Sequence, residues 1–202
     1  MSAPVNSKRL NPRRREILEA TLRVIGDGGV NSVTHRAVAQ EARVALASTT
    51  YYFDSKDALV EEALELMIAR SIEDVRRFTA CSDHITHTEL IARIVGFADA
   101  QINDPLAFLT AQYELMLEAG RREHLRPLAR RWTIAYMDGF NHLVQSAGLP
   151  APERAAEMIT NFVEGALLNH VTTPSDDFLE AHFRPLLTDL VAALDSGLPR
   201  SS

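Results

Sequence analysis

Apolar residues recur at intervals of three and four along almost the whole chain, and strand-like alternation is scarce. That period is the period of an α-helix with one buried face, so the chain is constrained to an all-α fold. Gly28-Gly29, Asn103-Asp104-Pro105, Arg126-Pro127, Gly148-Leu149-Pro150 and Thr173-Pro174 punctuate it. Glycine caps and proline breaks then divide it into about nine helices. The expected spans are 12–26, 35–42, 45–52, 56–79, 88–102, 105–121, 125–147, 153–172 and 176–195. Pro12 suits a first helical position, Thr34 an N-cap, and Thr86 or Thr88 the cap of the fifth helix.

A chain of 202 residues can bury a sizeable core. Its single cysteine, Cys81, excludes an internal disulfide framework. The basic start, with no apolar segment behind it, and the lack of a long apolar run lead us to expect a cytoplasmic protein without a membrane partner.

The net charge of −6 speaks at first against a nucleic-acid partner. The total hides an asymmetry. Residues 1–60 carry nine cations against six anions, +3, whereas the remainder sums to −9. A basic head on an acidic body suits a chain that meets a polyanion at one end.

Residues 34–53 have the form of a helix-turn-helix: two short helices, with small Ala39 where they cross and Val38, Ala42 and Val44 anchoring the turn. The string Thr34-His35-Arg36-Ala37-Val38-Ala39-Gln40-Glu41-Ala42-Arg43-Val44-Ala45, then Ser48-Thr49-Thr50-Tyr51-Tyr52-Phe53 and Ser55-Lys56-Asp57-Ala58-Leu59, closely resembles the DNA-binding domain of TetR/AcrR-family transcriptional regulators. The resemblance covers residues 12–62 and implies three parts. These are a basic arm (1–11), a three-helix helix-turn-helix head (12–55), and a helical ligand-binding and dimerisation domain (56–202). It implies that Thr34 caps the second helix and meets a phosphate, and that Tyr51, Tyr52 and Lys56 contact the backbone. The full set expected at DNA is Thr34, His35, Arg36, Arg43, Ala45, Leu46, Ala47, Ser48, Thr50, Tyr51, Tyr52 and Lys56.

Two departures stand out. Arg43 replaces the turn glycine usual in the family, so the turn either keeps a left-handed residue at a cost of about 1 kcal/mol or changes shape. The recognition helix also lacks Arg, Lys, Asn and Gln, the side chains that read guanine and adenine bidentately. Arg36 is then the best candidate for a guanine contact, with a phosphate contact as the alternative. The arm cations Lys8, Arg9, Arg13, Arg14 and Arg15 either follow the duplex or form a solubilising tail.

The family resemblance implies that the body binds a small-molecule effector and pairs with a second copy through its last two helices. Candidate effector contacts are Phe97, Gln101, Phe108, Tyr113, Met116, Trp132, Tyr136, Phe140, Met158 and Phe162, each with plain core packing as its alternative. Candidate interface residues are Ile159, Val163, Ala166, Leu167, Phe183, Leu187, Leu190 and Val191, although a single core also explains these stripes. The expected function is a homodimeric, ligand-released repressor on a near-palindromic operator, with no cofactor. Arg121, Arg122, Arg126, Arg130 and Arg131 form a basic cluster that suits an anionic ligand or a solvated face. Cys81, His84 and His87 give a C-x-x-H-x-x-H spacing, which keeps a metal-responsive regulator as the alternative. No Glu-x-x-His pair, Walker loop or nucleophile elbow occurs, so no enzyme is expected.

Overall fold

A computed structural model describes residues 11–80, 84–104 and 108–197. Among the described residues there are nine α-helices and no strand. In chain order they are α1 (Pro12–Gly28), α2 (His35–Glu41), α3 (Leu46–Tyr52), α4 (Lys56–Thr79), α5 (His87–Ile102), α6 (Phe108–Arg121), α7 (Arg126–Ser146), α8 (Pro152–Thr172) and α9 (Arg184–Asp195). Two compact units result. The first holds the described chain up to Ile72 together with Asp104–Trp132, and the second holds Glu73–Asn103 together with the chain from Thr133 onward. The division falls within α4 and α7, which each contribute to both.

In the first unit, Asn11 caps α1 by accepting a hydrogen bond from the Arg13 amide at 2.9 Å, and Pro12 needs no partner there. The helix buries Ile17, Leu18, Leu22 and Ile25 and packs on α2 and α6. It stops at Gly29, whose φ of 73° is open to glycine and whose amide donates to the Ile25 carbonyl. The helix-turn-helix is built on Val38, Ala39, Phe53 and Leu59, all buried.

In the second unit, Thr86 and Glu89 form a reciprocal capping box at the start of α5. Phe97 of α5 meets Phe78 of α4 and Tyr136 and Phe140 of α7 edge-on, with ring centroids 5.7–5.9 Å apart. The helix expected over 176–195 is not α-helical throughout. Phe178–Phe183 forms a wide π turn before α9 begins. Pro185 has no amide to donate to the carbonyl four residues back, and its ring would crowd it, so the chain widens there.

Candidate nucleic-acid interface

The expected DNA face starts at Thr34. Its Oγ1 accepts from the Ala37 amide at 3.0 Å, which caps α2 and leaves the hydroxyl proton free to donate to a phosphate. The buried Thr49 hydroxyl lies 2.8 Å from the Leu46 carbonyl and 3.4 Å from the His35 carbonyl, tying α3 to the start of α2. The turn keeps the left-handed geometry, with Arg43 at φ 54°. Amide bonds from Arg43 to the Gln40 carbonyl and from Val44 to the Ala39 carbonyl close it. Arg43→Gly is therefore expected to raise the unfolding free energy by about 1 kcal/mol in denaturant titration while weakening DNA binding through the lost cation.

Thr34, Arg36, Arg43, Ala45, Leu46, Ala47, Thr50 and Tyr51 are exposed, whereas His35, Ser48, Tyr52 and Lys56 are half-buried. Tyr51 is 81% exposed and meets Tyr52 edge-to-face, with centroids 5.0 Å apart. Lys56 Nζ donates to the Asn31 carbonyl at 3.2 Å, which holds the start of α4 beside the segment leading into Thr34.

Charge pairing separates the cations of the head. Arg13 pairs with Glu16, Arg15 with Glu19, and Arg23 with Glu41. Arg14 pairs with Glu62 and stacks 4.9 Å over the Phe53 ring. Arg13, Arg14 and Arg15 thus belong to α1 and are engaged, while Lys8 and Arg9 lie outside the described residues. Among the described residues Arg36 and Arg43 have no acidic partner, so the field of the head is least neutralised at the helix-turn-helix.

Sequence reading had not singled out the partners of the segment before α7. Arg122 donates to Asp57 at 2.7 Å, and His124 lies 2.7 Å from Glu61, so both grip the first turns of α4. The Arg122 guanidinium holds the Asp57 carboxyl below the usual carboxylate range. Arg121 also pairs with Glu118.

The ten candidate effector residues do not form one group. Phe97, Tyr136 and Phe140 stack in the second unit. Gln101, one turn beyond Phe97, is 3% exposed and its Oε1 finds no donor among the described residues. Phe108 is buried in the first unit beneath the Arg70 guanidinium, and Trp132 is buried there too, while Tyr113 and Met116 are half-buried. Met158 is half-buried in the second unit. Phe162 instead lines a cleft of about 430 Å³ with Ala166, His170, Phe178, His182 and Leu186.

Of the eight interface candidates, Ile159, Val163, Leu167, Phe183, Leu187 and Val191 are no more than 2% exposed in the single chain, because α8 and α9 turn them into the core of their own unit. Ala166 and Leu190 remain partly exposed, and the outward apolar side chains are Leu168 and Leu186. The Cys81/His84/His87 alternative gains no support. Cys81 lies outside the described residues, and among the described residues no group of three His, Cys, Asp or Glu could hold a metal. Nor is any described helix long and apolar enough to cross a membrane.

A helix-turn-helix with an unneutralised outer face, ahead of a larger helical region, defines a DNA-binding regulator with a sensor part. Comparison with known families agrees. Residues 17–63 match the pattern described as bacterial regulatory proteins, tetR family, and residues 85–193 match the tetracyclin repressor-like C-terminal domain. The chain belongs to the TetR family of transcriptional regulators. That family is one of regulators, which are generally not enzymes.

Among its relatives is the nicotine-responsive transcriptional repressor HdnoR of Paenarthrobacter nicotinovorans, 27% identical over 81% of this chain and 86% of that protein. Another is the transcriptional regulator BetI of Rhizobium meliloti, 27% identical over 85% of this chain and 90% of that protein. Among solved structures, the multidrug binding protein EbrR complexed with ethidium superposes with a TM-score of 0.61 at 28% identity, covering 88% of this chain and 98% of that one.

Proposed function

We propose that the protein is a homodimeric repressor that grips a near-palindromic operator through residues 12–55 and is released when residues 56–202 bind a small organic molecule. The observation that carries this reading is the α2–α3 segment, where Thr34, Arg36, Arg43 and Tyr51 are exposed, Lys56 follows half-buried, and α3 itself carries no acid. A two-fold protein matches a two-fold operator, and the outward face of α8 and α9, with Leu168, Leu186 and the Phe162 cleft, offers a second copy an apolar seat. The basic arm, residues 1–11, adds phosphate contacts, and the site of action is the cytoplasm.

The effector lodges against Phe97, Tyr136 and Phe140, with the unpartnered Gln101 carbonyl accepting a hydrogen bond from it. Aromatic faces and one buried acceptor suit an apolar molecule bearing an N–H or O–H donor. HdnoR responds to nicotine and EbrR binds ethidium, two nitrogenous ring compounds, which supports a ligand of that kind. An effector that binds better to the dimer with the wrong head spacing shifts it off DNA, with α4 as the moving element, since it begins at Lys56 and runs on into the second unit.

Selecting bound fragments from the source genome tests the reading, followed by competition with a library of ring-containing amines. Enrichment of one near-palindrome and its release by a compound that also raises the melting temperature are expected. Failure of every compound on both readouts would remove the sensor claim. On the selected duplex, Arg36→Ala is expected to lose about 1–3 kcal/mol and to relax preference at one base pair, whereas uniform weakening on all sequences would make Arg36 a phosphate anchor.

A further inference from the structure

The outer face of α3 has a chemical bias that its exposure makes consequential. Ala45, Leu46, Ala47, Thr50 and Tyr51 are the exposed residues at and along this helix. Leu46 alone is a large aliphatic side chain, and it is 47% exposed. The Thr50 hydroxyl lies 3.2 Å from the Ala47 carbonyl and 3.5 Å from the Leu46 carbonyl, so its proton points back into the helix and only a lone pair faces outward. The Thr49 hydroxyl is buried and spent in the same way. From Leu46 to Tyr52 no side chain carries an amide, ammonium or guanidinium.

Resting on the DNA-reading function proposed above, we infer that α3 reads thymine methyl groups, so that the base pairs beneath it are A·T, while the guanine of each half-site is read from α2 by Arg36. The thymine C5 methyl is the one apolar group that the major groove presents. Alanine at 45 and 47 lets the helix approach the groove closely, and Leu46 reaches the methyl from there. The Thr50 lone pair accepts from an adenine N6 amino group in the same pair type, and the half-buried Ser48 supplies a further hydroxyl. Rejection acts in the same direction as attraction. Pressing Leu46 against a G·C pair would strip water from its polar edge and return no hydrogen bond, which leaves groups unsatisfied.

The test uses the full chain and a duplex recovered by selection from a random-sequence pool. The duplex is then synthesised with thymine or with 2′-deoxyuridine, first beneath α3 and separately in the flanks. Each thymine-to-uracil change beneath α3 is expected to weaken binding about fourfold, the effect of one methyl, and changes in the flanks to do nothing. Leu46→Ala, which alters only an exposed side chain, is expected to weaken the thymine duplex several-fold and to leave the uracil duplex unchanged. Equal affinity for both duplexes, or a selected core of G·C pairs, overturns the inference and leaves the regulator standing. A pool that yields no enriched sequence overturns the DNA-reading function itself, and the inference with it.

Discussion

Gly139→Ala is expected to destabilise the protein by about 3 kcal/mol, although it adds one methyl to a helix that should welcome it. Alanine exceeds glycine in helix propensity by about 1 kcal/mol, so propensity alone predicts a gain. Packing decides the sign. A Cβ built on Gly139 of α7 would collide with Val75 Cγ1 and lie 3.2 Å from Thr79 Cγ2 of α4. Val75 is buried, and the Thr79 hydroxyl donates to the Val75 carbonyl at 2.8 Å, so neither can rotate aside freely. Overpacking of this kind costs about 1–3 kcal/mol, at the upper end where both neighbours are branched and held.

Gly96 of α5 is the control. Its Cβ would meet Phe78 Cε1 at 3.6 Å, an ordinary contact on the same stretch of α4. Gly96→Ala is expected to be neutral or to stabilise by up to about 1 kcal/mol. Urea unfolding of both variants at one protein concentration checks the pair. A Gly139→Ala variant as stable as the parent would show that Val75 gives way to the added methyl at no cost.

These two glycines mark where sequence reading stops. Both sit in amphipathic helices, and nothing in the local pattern separates the one that admits a helix neighbour from the one that does not. What was legible was local. Helix periodicity, Pro12, Thr34 and the glycine pair at 28–29 place most helices within a residue or two, since caps and breaks act over a single turn. Asn11 is a cap that the sequence analysis does not name, although asparagine directly before Pro12 suits that position. Pro185 was a readable break, four residues beyond the carbonyl it frees, but a strong apolar stripe from Phe178 to Leu194 masked it.

The helix-turn-helix was legible because its residues are contiguous in the chain. The partition of apolar stripes was not. Ile159, Val163, Phe183 and Leu187 read equally well as core or as interface from periodicity, and the packing of α5, α8 and α9 on one another turns them inward. The aromatic candidates divide for a similar reason. Phe97 and Phe108 are both buried aromatics on helices, yet they belong to different units. Arg43 shows the reverse case. The sequence posed the choice between a left-handed residue and an altered turn, and a φ of 54° answers it.

The second large effect is on pH dependence. Burial pushes the Glu164 carboxyl up from 4.5 to about 7. The residue is half-buried, but its Oε1 is sealed from water, and it is this atom's environment that disfavours the charge. A carboxyl whose pKa is higher folded than unfolded holds its proton more tightly in the native state. Between pH 4.5 and 7 the native chain therefore binds more protons, and stability falls as pH rises through that window. The full effect is on the order of 3 kcal/mol.

Asp57, Glu89, Asp177 and Glu180 act in the opposite sense. Each is held below its ordinary value by a hydrogen bond, from Arg122, Thr86, Ser175 and Arg184 respectively, so each adds stability that is lost on acidification below the usual carboxylate range. Stability is thus expected to peak near pH 5 and to decline towards pH 8. Glu164→Gln keeps the shape and removes the charge. It should match the parent near pH 4.5, exceed it by up to about 3 kcal/mol at pH 8, and flatten the slope between them. Thermal or urea unfolding across that range reads the difference. A parent curve that is flat from pH 5 to 8, or a Gln variant with the parent's slope, would show that Glu164 reaches water in solution.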